Sequence, residues 1–87
     1  MKPYWIKFLI STKYYYPPGT KIGCGITAYS SEDAIDIAAK YIFKSHPLPP
    51  IESIHEIQDT LQIEQSHVLP NSDDILNFGV WFPQGYR

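Results

Sequence analysis

The sequence predicts an α+β fold: a four-stranded, mainly antiparallel sheet in the order β-β-α-β-β, with one helix packed on one face. Three observations carry this. Residues 4–12 alternate apolar and polar at period two, Ser30 opens an amphipathic stretch running to about residue 45, and residues 77–82 form an aromatic strand stopped by Pro83. With 87 residues, 44% of them hydrophobic, the chain builds one small core and a single domain spanning 1–87.

In the first strand Tyr4, Ile6, Phe8 and Ile10 share one face, and Trp5, Lys7, Leu9 and Ser11 the other. Tyr16-Pro17-Pro18-Gly19-Thr20 reverses the chain, because two fixed φ angles precede a permissive glycine. In the second strand Ile22, Cys24, Ile26 and Ala28 are expected on the core face and Lys21, Gly23, Gly25 and Thr27 opposite. Ser30-Ser31-Glu32-Asp33 starts the helix: a hydroxyl accepts a free N–H and acids sit at the positive end of the dipole. Ile35, Ala38, Ala39, Ile42 and Phe43 form its buried stripe, and Asp36 is placed to pair with Lys40. The prolines of His46-Pro47-Leu48-Pro49-Pro50 end it. Residues 51–63 carry both a helical recurrence and an Ile-rich, proline-entered composition; the latter favours a strand over Ser53 to Gln58. Gln65 to Asp74 reads as a loop, and Asn77 to Phe82 as the last strand.

One amphipathic helix covers one face of a sheet. The other face is therefore expected to stand open, carrying Trp5, Lys7, Leu9, Gly23, Gly25 and either Trp81 or its neighbours. An open aromatic face points to a partner.

Seven Lys and Arg against nine Asp and Glu give a net charge of −2 and a pI near 5.8, the wrong balance for a nonspecific binder of phosphate backbones. No nucleic acid is expected. One cysteine excludes an internal disulfide and a multi-cysteine zinc site, and suits a reducing compartment. No segment approaches the roughly 18 to 20 apolar residues of a membrane helix, and the N-terminus reads as a strand rather than a signal peptide. A cytoplasmic location without membrane association is expected.

Candidate chemistry is sparse. His46, His55 and His67, with Glu52, Glu56 and Glu64 nearby, match no standard metal spacing, so no metal and no cofactor are expected. His46 suits a helix C-terminus, where a cation is favoured. Cys24 falls on the core face and reads as a small buried hydrophobe rather than a nucleophile. Gly23-x-Gly25 lacks the rest of a dinucleotide fingerprint; it reads as a bulge, or as room for an aromatic ring from a neighbouring strand. An enzyme using His55 or His67 as a base would need a cleft that this length hardly supplies, so no enzymatic activity is expected.

Tyr14, Tyr15 and Tyr16 suit a protein contact, since tyrosine and tryptophan lead interface hot spots. The acids Glu52, Glu56, Asp59, Glu64, Asp73 and Asp74 lie in the second half of the chain, whereas five of the seven Lys and Arg precede residue 41, an asymmetry that suits a basic partner.

Gly23-Cys24-Gly25-Ile26-Thr27-Ala28-Tyr29-Ser30 with Asp33-Ala34, His67-Val68-Leu69-Pro70-Asn71 and Gly79-Val80-Trp81-Phe82-Pro83 together resemble a pattern of small uncharacterised bacterial single-domain proteins, over roughly residues 4 to 83. Size, acidity and an aromatic face are also similar in type to immunity proteins that neutralise bacterial toxins. That resemblance implies a non-catalytic binding protein for a cognate toxin domain. Trp5, Tyr14, Tyr15, Tyr16 and Trp81 are the expected aromatic contacts, and Asp59, Glu64, Asp73 and Asp74 the acidic complement. The alternative is a self-associating domain, a homodimer through the open sheet face or an edge strand.

Overall fold

A computed structural model describes residues 1–9, 11, 13, 15–44, 46–58, 68 and 72–86. Alternation builds the first strand, β1 (Lys2–Phe8), with Tyr4, Ile6 and Phe8 buried on one face and Trp5 and Lys7 on the other. It stops short of the expected residue 12, and the Leu9 amide donates to the Pro50 carbonyl at 2.8 Å. Ile10 and Thr12 lie outside the described residues. The reversal at Pro17 forms as expected, with Thr20 donating both its amide (3.1 Å) and its hydroxyl (2.6 Å) to the Pro17 carbonyl.

Strand β2 (Cys24–Ala28) pairs antiparallel with β1, from Lys2 opposite Ala28 to Ile6 opposite Cys24. Ile22 is not part of it and is 49% exposed, against the expectation of a core position. The chain is still turning there: the Gly23 amide donates to the Thr20 carbonyl at 3.1 Å, and Gly23 has φ +139°. A side chain at Gly23 would also meet the Trp5 ring, at 2.7 Å from its Cβ.

Helix α1 (Ser31–Ile37) begins where its signals lie. The Ser30 hydroxyl accepts from the Asp33 amide at 3.1 Å, and the Asp33 carboxylate accepts from the Tyr29 amide at 3.1 Å, a variant of the capping box that reaches one residue further back. The helix widens into a π-helical segment, Ala38–Phe43. The i→i+5 turn brings Ile42 and Phe43, four and five residues on from Ala38, over the sheet together. The fully buried stripe is Ala34, Ile37, Ala38, Ile42 and Phe43, while Ile35 and Ala39 are only half-buried, a rotation from the predicted face. Widening also changes the spacing of Asp36 and Lys40. Among the described residues they form no ion pair, and Lys40 Nζ lies 5.4 Å from the Tyr41 ring centroid instead.

Residues 51–63 do open with a strand, β3 (Ile51–Glu56), two residues earlier than predicted; β4 (Gly79–Phe82) is the last. A cis peptide joins Phe82 to Pro83. The sheet order is β3-β1-β2-β4, all neighbours antiparallel. β2 and β3 therefore run parallel with β1 between them, and α1 crosses over β1 to join them. Tyr4, Ile6, Phe8, Cys24, Ile26, Ala28 and Val80 form the core with the helical layer, and Phe8 meets Phe43 edge-on at 5.2 Å.

β3 and β4 lie at opposite edges of the sheet, and described residues of the chain between them lie on the face opposite the helix. Ile57, Val68 and Ile75 pack there with Trp5, Trp81 and Phe82. Thr27 Oγ1 donates to the Ile75 carbonyl at 2.5 Å, fixing this layer to β2. The face expected to stand open is therefore covered over its centre. No described helix is long and apolar enough to cross a membrane.

Candidate functional site

The structure divides the predicted contact residues among three places. Trp81 is fully buried, at 0% exposure, which corrects its expected place on an open surface. The cause is a bulge. Gly25 pairs with Phe82 and Ile26 with Val80, so Trp81 is the extra residue and both aromatics turn to the face away from the helix. Trp81 lies flat against Gly25, where an added Cβ would stand 2.4 Å from its ring. The glycine pair thus makes room for two indoles, Trp5 over Gly23 and Trp81 over Gly25. Trp5 is half-buried, 6.0 Å from Trp81 and 5.6 Å from Phe82 between centroids. Among the described residues the Trp81 indole N–H finds no hydrogen-bond acceptor, a cost of about 1 to 3 kcal/mol that the ring's packing offsets.

Tyr15 and Tyr16 sit on the long connection before β2. Tyr15 is exposed, its ring stacked on His46 at 3.9 Å, so the His46 side chain packs on an aromatic beyond the helical end. Tyr16 is half-buried against the core and donates its hydroxyl to the Leu9 carbonyl. Tyr14 lies outside the described residues, as do Asp59, Glu64 and His67.

Asp73 and Asp74 shape the approach to β4. The Asp73 amide donates to the Trp81 carbonyl at 2.7 Å and its carboxylate accepts from Gln84 Nε2 at 3.3 Å. Asp74 Oδ1 accepts from the Leu76 amide at 2.9 Å, an Asx turn. Glu56 and Glu52 pair across the sheet with Lys2 (3.5 Å) and Lys7 (3.7 Å), which offsets part of the charge asymmetry read from the sequence. Both pairs are solvent-exposed and contribute little to stability.

Cys24 is fully enclosed, and burial pushes its thiol up to about 12, so the nucleophilic thiolate is suppressed. Among the described residues no three His, Cys, Asp or Glu side chains stand close enough to hold a metal ion.

A different surface gathers exposed aromatics. Tyr29 (71% exposed) packs on Phe78 at 5.4 Å, Leu76 (78% exposed) stands two residues before Phe78, and Tyr41 is exposed on the π-helical segment. Tyr41, Phe78, Gly79, Val80 and Tyr86 line one cavity of about 260 Å³. Tyr86 is held by its hydroxyl, which donates to the Pro18 carbonyl at 3.0 Å. Desolvation, then the neighbouring ionisable Tyr15 and Cys24, raise its phenol pKa and keep it a neutral donor. Sequence reasoning missed this group. The available signal was negative: Tyr41 falls outside the buried stripe, and Tyr29 precedes the helix cap where nothing covers it.

Comparison with family models, with curated proteins and with solved structures finds no match in any of the three.

Proposed function

We propose that this protein is a small non-catalytic binding protein that neutralises a bacterial toxin by direct contact with a toxin domain, without a cofactor. The exposed aromatic surface of Tyr29, Tyr41, Leu76 and Phe78 carries this reading. Large apolar side chains grouped on the surface of a small chain have no folding role that explains their exposure, and aromatic anchors dominate the energetics of protein contacts. Asp33 and Asp74, bonded to the backbone of Tyr29 and Leu76, give this surface an acidic border suited to a basic partner. The anchors are thus placed around β4, with Tyr15 as a second exposed ring, rather than on the covered face of Trp5 and Trp81.

The test is affinity capture with the tagged protein from its native host, followed by light scattering of the recovered complex. A one-to-one complex with a toxic domain, lost on Phe78→Ser and Tyr29→Ser, is the expected result. Recovery of the protein alone as a homodimer would replace this reading with self-association. The covered centre of the second face argues against one of the two routes considered for that and favours the other, an edge strand, β3 or β4.

A further inference from the structure

The cavity beside β4 is lined by three aromatic residues, Tyr41, Phe78 and Tyr86, together with Val80 and the side-chain-free Gly79. Among the described residues no charged, carboxylate or amide side chain lines it. The Tyr86 hydroxyl is committed to the Pro18 carbonyl, and the Tyr29 ring packs on Phe78. At Gly79 an added Cβ would meet nothing within 4 Å, so the space there is open.

Aromatic faces carry negative potential and attract a cation lying within about 6 Å of the ring centroid. The molecule already does this once: Lys40 Nζ lies 5.4 Å from the Tyr41 centroid. The lining also decides which cation fits. A primary ammonium brings three N–H donors and a tight hydration shell, and side chains without carboxylates or amides would leave donors unpaired. A quaternary ammonium has no N–H group to satisfy.

We propose that the cavity formed by Tyr41, Phe78 and Tyr86 binds a quaternary ammonium group. The occupant that suits a cavity of about 260 Å³ is a free choline-type molecule; a trimethylated lysine in a peptide and the choline headgroup of a lipid carry the same group and are outcomes of the test. The site rests on the cavity's own geometry and not on the protein-partner reading, so either can fail alone. Lys40 competes for the Tyr41 ring, which predicts that removing its charge strengthens binding.

The experiment is an NMR titration with choline and with its neutral isostere 3,3-dimethylbutan-1-ol, following the ring protons of Tyr41, Phe78 and Tyr86. Choline is expected to give saturable shifts at these rings and the isostere to bind about fivefold or more weaker. Phe78→Leu, which keeps apolar volume but removes a ring, should weaken choline binding about fivefold, and Lys40→Gln should strengthen it. Equal response to both probes would reduce the cavity to a plain apolar pocket and overturn the proposal. So would the absence of saturable shifts through the millimolar range, or choline affinity unchanged in Phe78→Leu. Tighter binding of trimethyllysine, or co-sedimentation with phosphatidylcholine vesicles, would support the site and identify its source.

Discussion

At Gly25 the absence of a side chain is what allows Trp81 to lie against β2. Gly25→Ala is expected to destabilise the protein by about 2 kcal/mol or more, because the new methyl would overlap an indole held on all sides. In a Trp81→Leu background, where the overlapping six-membered ring is gone, the same alanine should cost much less. A double-mutant cycle in urea measures the coupling, and additive costs would show that the ring and the glycine do not depend on each other. Cys24 gives a second residue-level expectation. Its folded thiol is raised from an ordinary 9.0 to about 12, so in alkaline solution the unfolded chain loses this proton first. The stabilising effect is complete below pH 9 and is lost as the pH rises from 9 towards 12. Urea midpoints at successive pH values above 9 should fall more steeply for the native chain than for Cys24→Ala. Parallel curves would remove Cys24 as the cause.

Among the elements, the cap of α1 is the most local in origin, and Ser30→Ala should cost about 1 kcal/mol, lowering the melting temperature by about 4 to 8 °C. Calorimetry reads this directly, and an unchanged melting temperature would mean that tertiary packing alone holds the helix start. The same contrast between local and long-range causes explains what could be read from the sequence. Ser30, the alternation of Tyr4, Ile6 and Phe8, and the stop at the Pro47 segment each act within a few residues, so element types and order were legible. The place of Trp81 was not. It depends on a bulge between β2 and β4, strands separated by about fifty residues, and a single extra residue moves every later side chain to the other face. Gly23 and Gly25 did announce a close aromatic approach, but not that both indoles would fill it. The exposed surface at Tyr29, Tyr41 and Phe78 was illegible for another reason: exposure reflects what the rest of the chain fails to cover.

At the scale of the whole molecule the two central strands are covered on both sides, by the helical layer over one face and by Ile57, Val68 and Ile75 over the other. Apart from Tyr15, the exposed aromatic rings among the described residues lie around β4, where substitution should separate binding from folding. Phe78→Ser is expected to change stability by only about 0.5 kcal/mol while abolishing recovery of a partner. Trp81→Ala should do the reverse in kind, costing about 3 to 5 kcal/mol through the cavity it leaves. Equal loss of stability in the two variants, measured by chemical denaturation, would contradict this division.

The indole pair at 6.0 Å also makes the protein its own optical gauge. Two indoles that close, with ring planes 40° apart, couple as excitons, and the resulting circular-dichroism couplet exists only while β1 and β4 hold their places in the sheet. Loss of the couplet at lower denaturant than the helical signal would mark the β4 edge of the sheet as the first part of the molecule to come away.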